Sequence, residues 1–234
     1  MKMRTLTVLP LLLIPCFHAM AGNSHADRRQ EFVYGVKFSA SSTATNPSRL
    51  STGSTQLNEF RIDSQVGTSL TLQGGFDFGK TALMTGIGFD YSRSTIYVDF
   101  NSWEGSELSP KEGCLSVDMK DLMVPLRLEY TCIDQAPYKM SVFAGPKFRI
   151  IPEGNFSSSF SKFPKENLEE KPVDCLVCGT VGIGVKTGRT FFEFEIESSF
   201  SNISKGIYDS TGNATDITID RRLTIMSFSI GILL

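Results

Sequence analysis

The sequence predicts an all-β protein, an antiparallel up-and-down transmembrane β-barrel of about eight strands that follows a cleaved N-terminal signal peptide. Apolar and polar residues alternate along about eight segments, and the connections between these segments alternate between long and short. An apolar leader precedes the first segment. An alternating strand places its apolar residues on one face. A barrel that spans a membrane has short turns at one end and long loops at the other, whereas a soluble sandwich has no reason to sort its connections by length.

The leader has the three parts of a signal peptide. It carries Lys2 and Arg4, then an apolar run, and it ends in the small-x-small pattern that closes at Ala21. Lipoprotein processing at Cys16 is the alternative, and the preceding Pro15 disfavours it. The predicted domains are a signal peptide at residues 1–21, a short periplasmic tail at 22–31 and an outer-membrane β-barrel at 32–234.

The charge of the chain argues against one class of partner. The sequence has 23 basic and 25 acidic residues, and removal of Lys2 and Arg4 with the leader leaves 21 against 25, a formal charge of -4. Proteins that bind nucleic acid carry a basic footprint, so we expect no nucleic-acid partner.

The predicted strands and loops follow from the alternation. The strands are residues 32–40, 66–78, 83–91, 121–130, 138–150, 175–186, 190–201 and 224–234. The long loops are residues 41–62, 99–116, 152–172 and 204–220, and the connections between them are short.

Two of the short connections begin with glycine and predict the pairing of their strands. A two-residue turn at Gly79–Lys80 places Phe76 opposite Leu83. A second turn at Gly188–Arg189 places Glu193 opposite Gly184, and Glu195 opposite Gly182. We therefore expect Gly184 and Gly182 to leave room for the carboxylates of Glu193 and Glu195, which enter the interior.

The central hairpin is the clearest strand pair of the chain. One face of each arm is apolar, and the other carries Arg127 and Lys147. A turn centred on Gln135 places Leu126 opposite Ala144, Leu128 opposite Val142 and Pro125 opposite Gly145. Because proline removes a donor from the strand ladder, we expect a β-bulge where Pro125 meets Gly145.

This hairpin carries a family resemblance. Its motif residues are Val124, Pro125, Leu126, Ala144, Gly145 and Pro146. The motif resembles the outer-membrane β-barrel family of Bacteroidetes that includes the PorT-like and "porin family" proteins, and the resemblance runs from Phe32 to the C terminus. It implies a membrane-embedded scaffold and allows an accessory role in secretion. The group is functionally mixed, so the motif identifies the scaffold rather than one function.

A set of charged residues lies on the predicted interior face. Its members are Lys37, Arg127, Lys147, Arg149, Glu193, Glu195 and Glu197. The interior of an eight-stranded barrel is just wide enough for side chains to fill it. We therefore interpret the set as a structural network of internal salt bridges. An acid–base site or a pore lining is the alternative.

Histidine usage bears on catalysis. The two histidines, His18 and His25, precede the barrel, so no histidine is available there for a Ser-His or Asp-His mechanism. We expect no catalytic residue, no metal and no cofactor.

The cysteine pattern does not predict a redox or metal pair. Cys175 and Cys178 point to opposite faces of one strand, about 10 Å apart, which is beyond disulfide reach. Cys114 and Cys132 fall at opposite ends of another strand and therefore do not pair with each other. The sequence leaves a disulfide between Cys114 and Cys175 as an alternative.

These observations together predict a non-enzymatic protein of the outer membrane of a Gram-negative bacterium. We expect long extracellular loops and a filled interior, serving envelope structure, surface interaction or a secretion-type complex. The expected partners are outer-membrane lipid and, through the loops, other envelope proteins. A small-solute porin is the alternative. A membrane-embedded hydrolase or acyltransferase is disfavoured by the missing histidine, and a soluble ligand-binding barrel by the apolar outer faces.

Overall fold

The computed structural model describes residues 31–52, 55–56, 60–99, 112–152, 154–163, 167–209, 211–215 and 217–234. The predicted signal peptide and the predicted tail up to residue 30 lie outside the described residues. No helix in the described part of the chain is long and apolar enough to cross a membrane.

The described residues form twelve strands. They are β1 (Glu31–Thr52), β2 (Thr55–Gln56), β3 (Phe60–Asp77), β4 (Thr81–Asp99), β5 (Glu112–Gln135), β6 (Tyr138–Ile150), β7 (Phe156–Ser161), β8 (Glu169–Pro172), β9 (Cys175–Thr187), β10 (Thr190–Ser199), β11 (Ser204–Tyr208) and β12 (Ile217–Leu233).

Eight of these strands close into a ring. The order around it is β1, β3, β4, β5, β6, β9, β10 and β12, and every neighbouring pair is antiparallel. The ring closes where β1 pairs with β12, from Gly35 opposite Leu233 to Thr52 opposite Ile217. The predicted all-β, up-and-down barrel of eight strands is therefore confirmed. Closure leaves no long unpaired edge, which is what a bilayer requires of β-structure.

The two glycine-first turns have the predicted registers. Phe76 lies opposite Leu83, Glu193 opposite Gly184 and Glu195 opposite Gly182. Gly79 has φ 93° and Gly188 has φ 59°, the left-handed region that glycine adopts without a steric penalty.

The central hairpin has a different register from the predicted one. The turn lies at Ala136–Pro137, so that Leu128, not Leu126, is opposite Ala144. Pro125 lies opposite Lys147 rather than Gly145.

The expected bulge at Pro125 was also wrong in position. The register shift of this hairpin lies between Thr131 and Ile133, close to the turn. The displacement from the predicted pairing is two residues, and an even displacement keeps every side chain on its predicted face. The apolar face and the charged face of the hairpin therefore consist of the predicted residues despite the change of register.

Strands occupy much of the predicted long loops at residues 41–62, 152–172 and 204–220, whereas residues 100–111 of the predicted loop at 99–116 lie outside the described residues. β1 continues to Thr52 and β4 to Asp99, while β5 begins at Glu112 and β12 at Ile217. The reason in β4, β5 and β12 is an inversion of the pattern. Near the short turns apolar residues face outward, but in the extensions of these three strands they face inward, as Ile96, Leu115 and Ile219 do. The β1 extension is polar on its inner face, so apolar alternation ends there as well.

The outer surface of the lower part of the barrel is apolar. Its exposed side chains include Phe38, Leu70, Leu72, Ile87, Phe89, Leu128, Val142, Val181, Ile183, Phe194, Phe228 and Ile230. An apolar surface of this extent on a closed ring is suited to contact with lipid acyl chains. The buried apolar clusters lie instead inside the upper end, away from the short turns.

We predict that Leu126→Arg impairs assembly of the barrel in the membrane. An arginine near the midplane of the lipid face costs about 2–4 kcal/mol. The measurement is the fraction of protein that shows heat-modifiable migration in SDS gels. The matched control is Thr218→Arg, which faces outward on the upper part of β12 and is exposed. Normal assembly of Leu126→Arg would contradict the assignment of this face to lipid.

Candidate functional site

The structure places all seven predicted charged side chains inside the barrel. They come from β1, β5, β6 and β10, and each is at most 7% exposed. Their alternate positions along these strands turn them all inward. They form a ladder of ion pairs that runs up one side of the interior.

The lowest rung of this ladder is centred on Glu193. Arg127 donates to both of its carboxylate oxygens, at 2.8 and 2.6 Å, and Lys37 donates to it at 3.1 Å. A bidentate arginine–carboxylate pair is among the stronger hydrogen-bonded ion pairs in proteins. Arg127 also lies 2.7 Å from Glu129, and its guanidinium stacks over the Phe143 ring at 4.6 Å.

The middle and upper rungs share Glu197. Lys147 donates to Glu195 and, at 2.8 Å, to Glu197. Arg149 donates to Glu197 through Nε and through Nη2, the latter at 2.9 Å. These contacts join β6 to β10 across an intervening strand, β9.

Three acidic members of the ladder were missed by the sequence reasoning. Arg149 also binds Asp90 at 3.0 Å and Asp121 at 2.8 Å, and Arg127 binds Glu129. The signal was available, because each of these acids has the inward parity of its strand. Arg149 thus connects four strands, β4, β5, β6 and β10.

The expected role of one glycine is corrected by the structure. A Cβ added at Gly182 would collide with the ring of Phe143 on one neighbouring strand and with the backbone carbonyl of Phe194 on the other, not with the carboxylate of Glu195. At Gly184 a Cβ would lie 3.2 Å from Ser141 Oγ and 3.5 Å from Glu193 Cγ. Gly182 therefore makes room for an aromatic ring, and only Gly184 borders a carboxylate.

Hydroxyl groups line the opposite wall of the interior. The buried members on β1, β3 and β4 are Ser39, Ser41, Thr43, Thr45, Ser69, Thr71, Ser92 and Ser94. Within the described residues, the hydroxyls of Ser41, Thr43, Thr71 and Ser92 have no hydrogen-bond partner. Buried polar groups of this kind are normally satisfied by ordered water.

A small cavity separates the ladder from the hydroxyl wall. Its volume is 20 Å³, and Lys37, Lys147, Arg149, Ser41 and Thr71 are among its lining residues. That space is about what one water molecule needs. The middle of the barrel is therefore filled by side chains and has room for water rather than for a solute.

A small sheet lies across the upper mouth. β8 and β11 pair with each other and with no strand of the ring, and we call them the cap. Ile207 of the cap and Leu168, which directly precedes β8, are buried against inward apolar residues of the ring, among them Ile96, Leu115 and Ile219. The upper end thus has an apolar core like that of a soluble β-protein.

One fully buried ion pair connects the cap to the ring. Glu170 of β8 accepts a hydrogen bond from Arg221 of β12, and neither side chain is exposed. Within the described part of the chain, Arg221 Nε and Nη1 and Glu170 Oε1 have no partner. Breaking such a pair leaves an uncompensated buried charge, so it fixes the position of the cap.

The turn that follows β11 is held by an aspartate. Asp209 accepts hydrogen bonds from the Thr211 hydroxyl at 2.6 Å and from the backbone N–H groups of Thr211 and Asn213, each at 2.9 Å. These bonds, led by that of the Thr211 hydroxyl, lower the pKa of the Asp209 carboxyl.

The cysteines are separate free thiols. Cys114, Cys132, Cys175 and Cys178 form no disulfide with one another, and Cys175 is exposed whereas Cys178 is buried. Among the described residues no group of three or more His, Cys, Asp or Glu could hold a metal ion.

A closed ring of eight strands with an apolar outer surface and a charged, filled interior defines a membrane-spanning β-barrel. The family model for the outer membrane protein beta-barrel domain matches residues 23–205, and the chain belongs to this family. The protein therefore resides in the outer membrane of a Gram-negative bacterium.

Solved structures with a similar fold are outer-membrane barrels of low sequence identity. The outer membrane protein OprG from Pseudomonas aeruginosa has a TM-score of 0.47 at 12% identity, with 87% of this chain and 95% of that chain covered. Neisserial surface protein A (NspA) has a TM-score of 0.38 at 12% identity, with 85% of this chain and 96% of that chain covered. The outer membrane protease OmpT from Escherichia coli has a TM-score of 0.44 at 8% identity, with 91% of this chain and 99% of that chain covered. No curated protein sequence matches this chain.

We predict that Gly182→Ala destabilises the barrel by crowding Phe143, by roughly 1–3 kcal/mol. In a double-mutant cycle, Phe143→Leu should relieve part of this effect, because the contact with the Phe194 carbonyl remains, whereas Glu195→Gln should be additive with it. The measurement is the free energy of unfolding in urea. Gly184→Ala is the matched control and should be milder. Relief by Glu195→Gln instead of Phe143→Leu would show that the glycine accommodates the carboxylate.

We also predict that Arg149→Met is strongly destabilising, by about 3–5 kcal/mol, because it leaves buried carboxylates unpaired. The matched control is Lys139→Met, which removes a cation from the exposed pair with Asp134 and should change the free energy of unfolding by about 0.5 kcal/mol or less. Equal effects of the two substitutions would contradict a stabilising role for the ladder.

Proposed function

We propose that this protein is a non-enzymatic, closed outer-membrane barrel that serves envelope structure or surface interaction. The observation that carries the proposal is the ladder of ion pairs, which fills the interior at three successive levels and leaves a cavity of only 20 Å³ beside it. A solute cannot pass through a space of that size.

The state of the ladder also supports a non-enzymatic role. Glu193, Glu195 and Glu197 are each bound by at least one cation, and each is at most 4% exposed. A general acid or base has to reach a substrate proton, and these carboxylates are both engaged and enclosed.

The cap supports a role at the cell surface. It rests on an apolar core and is joined to the ring by the buried Glu170–Arg221 pair. A rigid extracellular end presents a fixed surface, and a preorganised surface binds a partner at a lower entropic cost.

The finer family assignment is part of the proposal. The motif of the central hairpin, from Val124 to Leu126 and from Ala144 to Pro146, supports a place in the PorT-like group of Bacteroidetes. An accessory role in a secretion-type complex would follow from that place, with the capped end or the short turns as the contact surface.

A small-solute porin is the second candidate. The observation that favours it is the hydroxyl wall, where four buried hydroxyls have no partner within the described residues. Such a wall would suit a water-filled path if the ladder moved aside.

We predict that the purified protein shows no steady single-channel current in planar bilayers. Glu195→Ala should lower stability without creating one, because Lys147 and its neighbours still occupy the interior. Each preparation is first scored for heat-modifiable migration, so that only assembled barrels are compared. A large, steady current from the unmodified protein would overturn the closed-barrel proposal and favour the porin.

A further inference from the structure

A group of basic and aromatic residues lies on the outer wall of the barrel where β4 and β5 leave the apolar band. Tyr91 is paired with Lys120, and Arg93 with Asp118. All four have the outward parity of their strands, and Tyr91, Arg93 and Lys120 are exposed. We call Tyr91, Arg93 and Lys120 the basic stripe.

The basic stripe lies at the upper border of the lipid face. Tyr130 and Lys120 are ten positions apart on β5, which at ~3.3 Å per residue and a ~40° tilt is a height of roughly 25 Å. That is about the height of the apolar band of an outer-membrane barrel. Leu122 and Phe89 are opposite each other directly below the stripe, and Phe89 is 71% exposed. The outer surface therefore changes from apolar to basic within one step along the strands.

Asp118 orients the guanidinium of Arg93 and uses two of its N–H donors. Arg93 donates to Asp118 Oδ1 through Nε and to Asp118 Oδ2 through Nη2, the latter at 2.9 Å. A guanidinium has five N–H donors, so three stay available to a further acceptor. Lys120 has no acidic partner among the residues that the structure describes. Two cations, of which Arg93 is held by Asp118, thus lie near each other on neighbouring strands and face outward.

The basic stripe continues upward on the same wall. Tyr97 lies six positions above Tyr91 on β4, and the guanidinium of Arg61 on β3 lies over its ring at 4.5 Å. At ~3.3 Å per residue and a ~40° tilt, this adds roughly 15 Å of height. A cation and an aromatic ring at that level suit a sugar or a second phosphate above the membrane border.

We propose that the basic stripe binds the phosphorylated headgroup of an outer-leaflet lipid. Its acyl chains would lie on Phe89 and Leu122, its phosphate would accept hydrogen bonds from Arg93 and Lys120, and Tyr91 would occupy the interface. The chain as a whole carries a formal charge of -2, so its overall charge does not attract anions. At the basic stripe, however, Arg93 and Lys120 outweigh the single Asp118 carboxylate, so the local charge is positive and attracts an anion, an attraction that salt weakens.

A lipid fits this surface better than a free anion does. The cations adjoin the apolar band and lie on the outside of the ring, where lipid is the neighbouring phase. They are not in an enclosed pocket, which is where small anions are normally desolvated and held.

The experiment uses the full protein in phosphatidylcholine vesicles that contain either bis-phosphorylated lipid A or its dephosphorylated form. After detergent extraction, the lipid A retained per protein is measured by mass spectrometry. We expect retention of the phosphorylated form, a loss of about five-fold in Lys120→Gln, and weaker retention by the unmodified protein when the salt concentration is raised about tenfold.

The matched control is Arg222→Gln, which removes an outward cation on β12, four positions above the apolar Met226. It should leave retention nearly unchanged. Equal losses in Lys120→Gln and Arg222→Gln would overturn the proposal, as would equal retention of the dephosphorylated lipid. Displacement of the lipid by an equal concentration of inorganic phosphate would also overturn it, because the surface would then recognise a free anion. If Lys120→Gln does not assemble, the unmodified protein at raised salt provides the test, and unchanged retention of the phosphorylated lipid there would overturn the proposal.

Discussion

The structure depends on one constraint: each charge buried inside the narrow barrel has to be neutralised by an opposite charge in direct contact with it. An isolated charge in such a place costs many kcal/mol, and its compensation requires both opposite charge and hydrogen bonds. Arg149 meets this requirement for Asp90, Asp121 and Glu197 at once. Because these groups come from four strands, the same contacts that neutralise the charge also fix the position of those strands around the ring.

The interior has three zones with different chemistry. The ion-pair ladder occupies one side of the lower and middle parts, and a wall of serine and threonine faces it. Above both, the inward residues are apolar and pack against the cap. Side chains of the ladder thus occupy the middle of the barrel, and the cap lies across its mouth. The Glu170–Arg221 pair joins the cap to the ring within the upper core and is fully buried.

The outer and inner surfaces exchange character at the membrane border. Below it, apolar side chains point outward because lipid is the solvent, and polar groups are satisfied inside. Above it, Arg93 and Lys120 point outward while Ile96 and Leu115 point inward, as in a soluble protein. The basic stripe lies where the two regimes meet, which is the level at which lipid headgroups are available.

The sequence by itself determined which face each residue of a membrane strand occupies, because the period of two is a local property of the chain. It also determined the pairing next to Gly79 and Gly188, where a two-residue turn leaves one register. The tertiary structure alone decided the rest. Lys37 and Glu193 are 156 positions apart, and ring closure is what brings them together. The register of the central hairpin depends on a shift near its turn. The role of Gly182 depends on the Phe143 ring, which comes from a neighbouring strand. The upper ends of the strands extend beyond the point where the outward apolar pattern stops, so that pattern does not predict them.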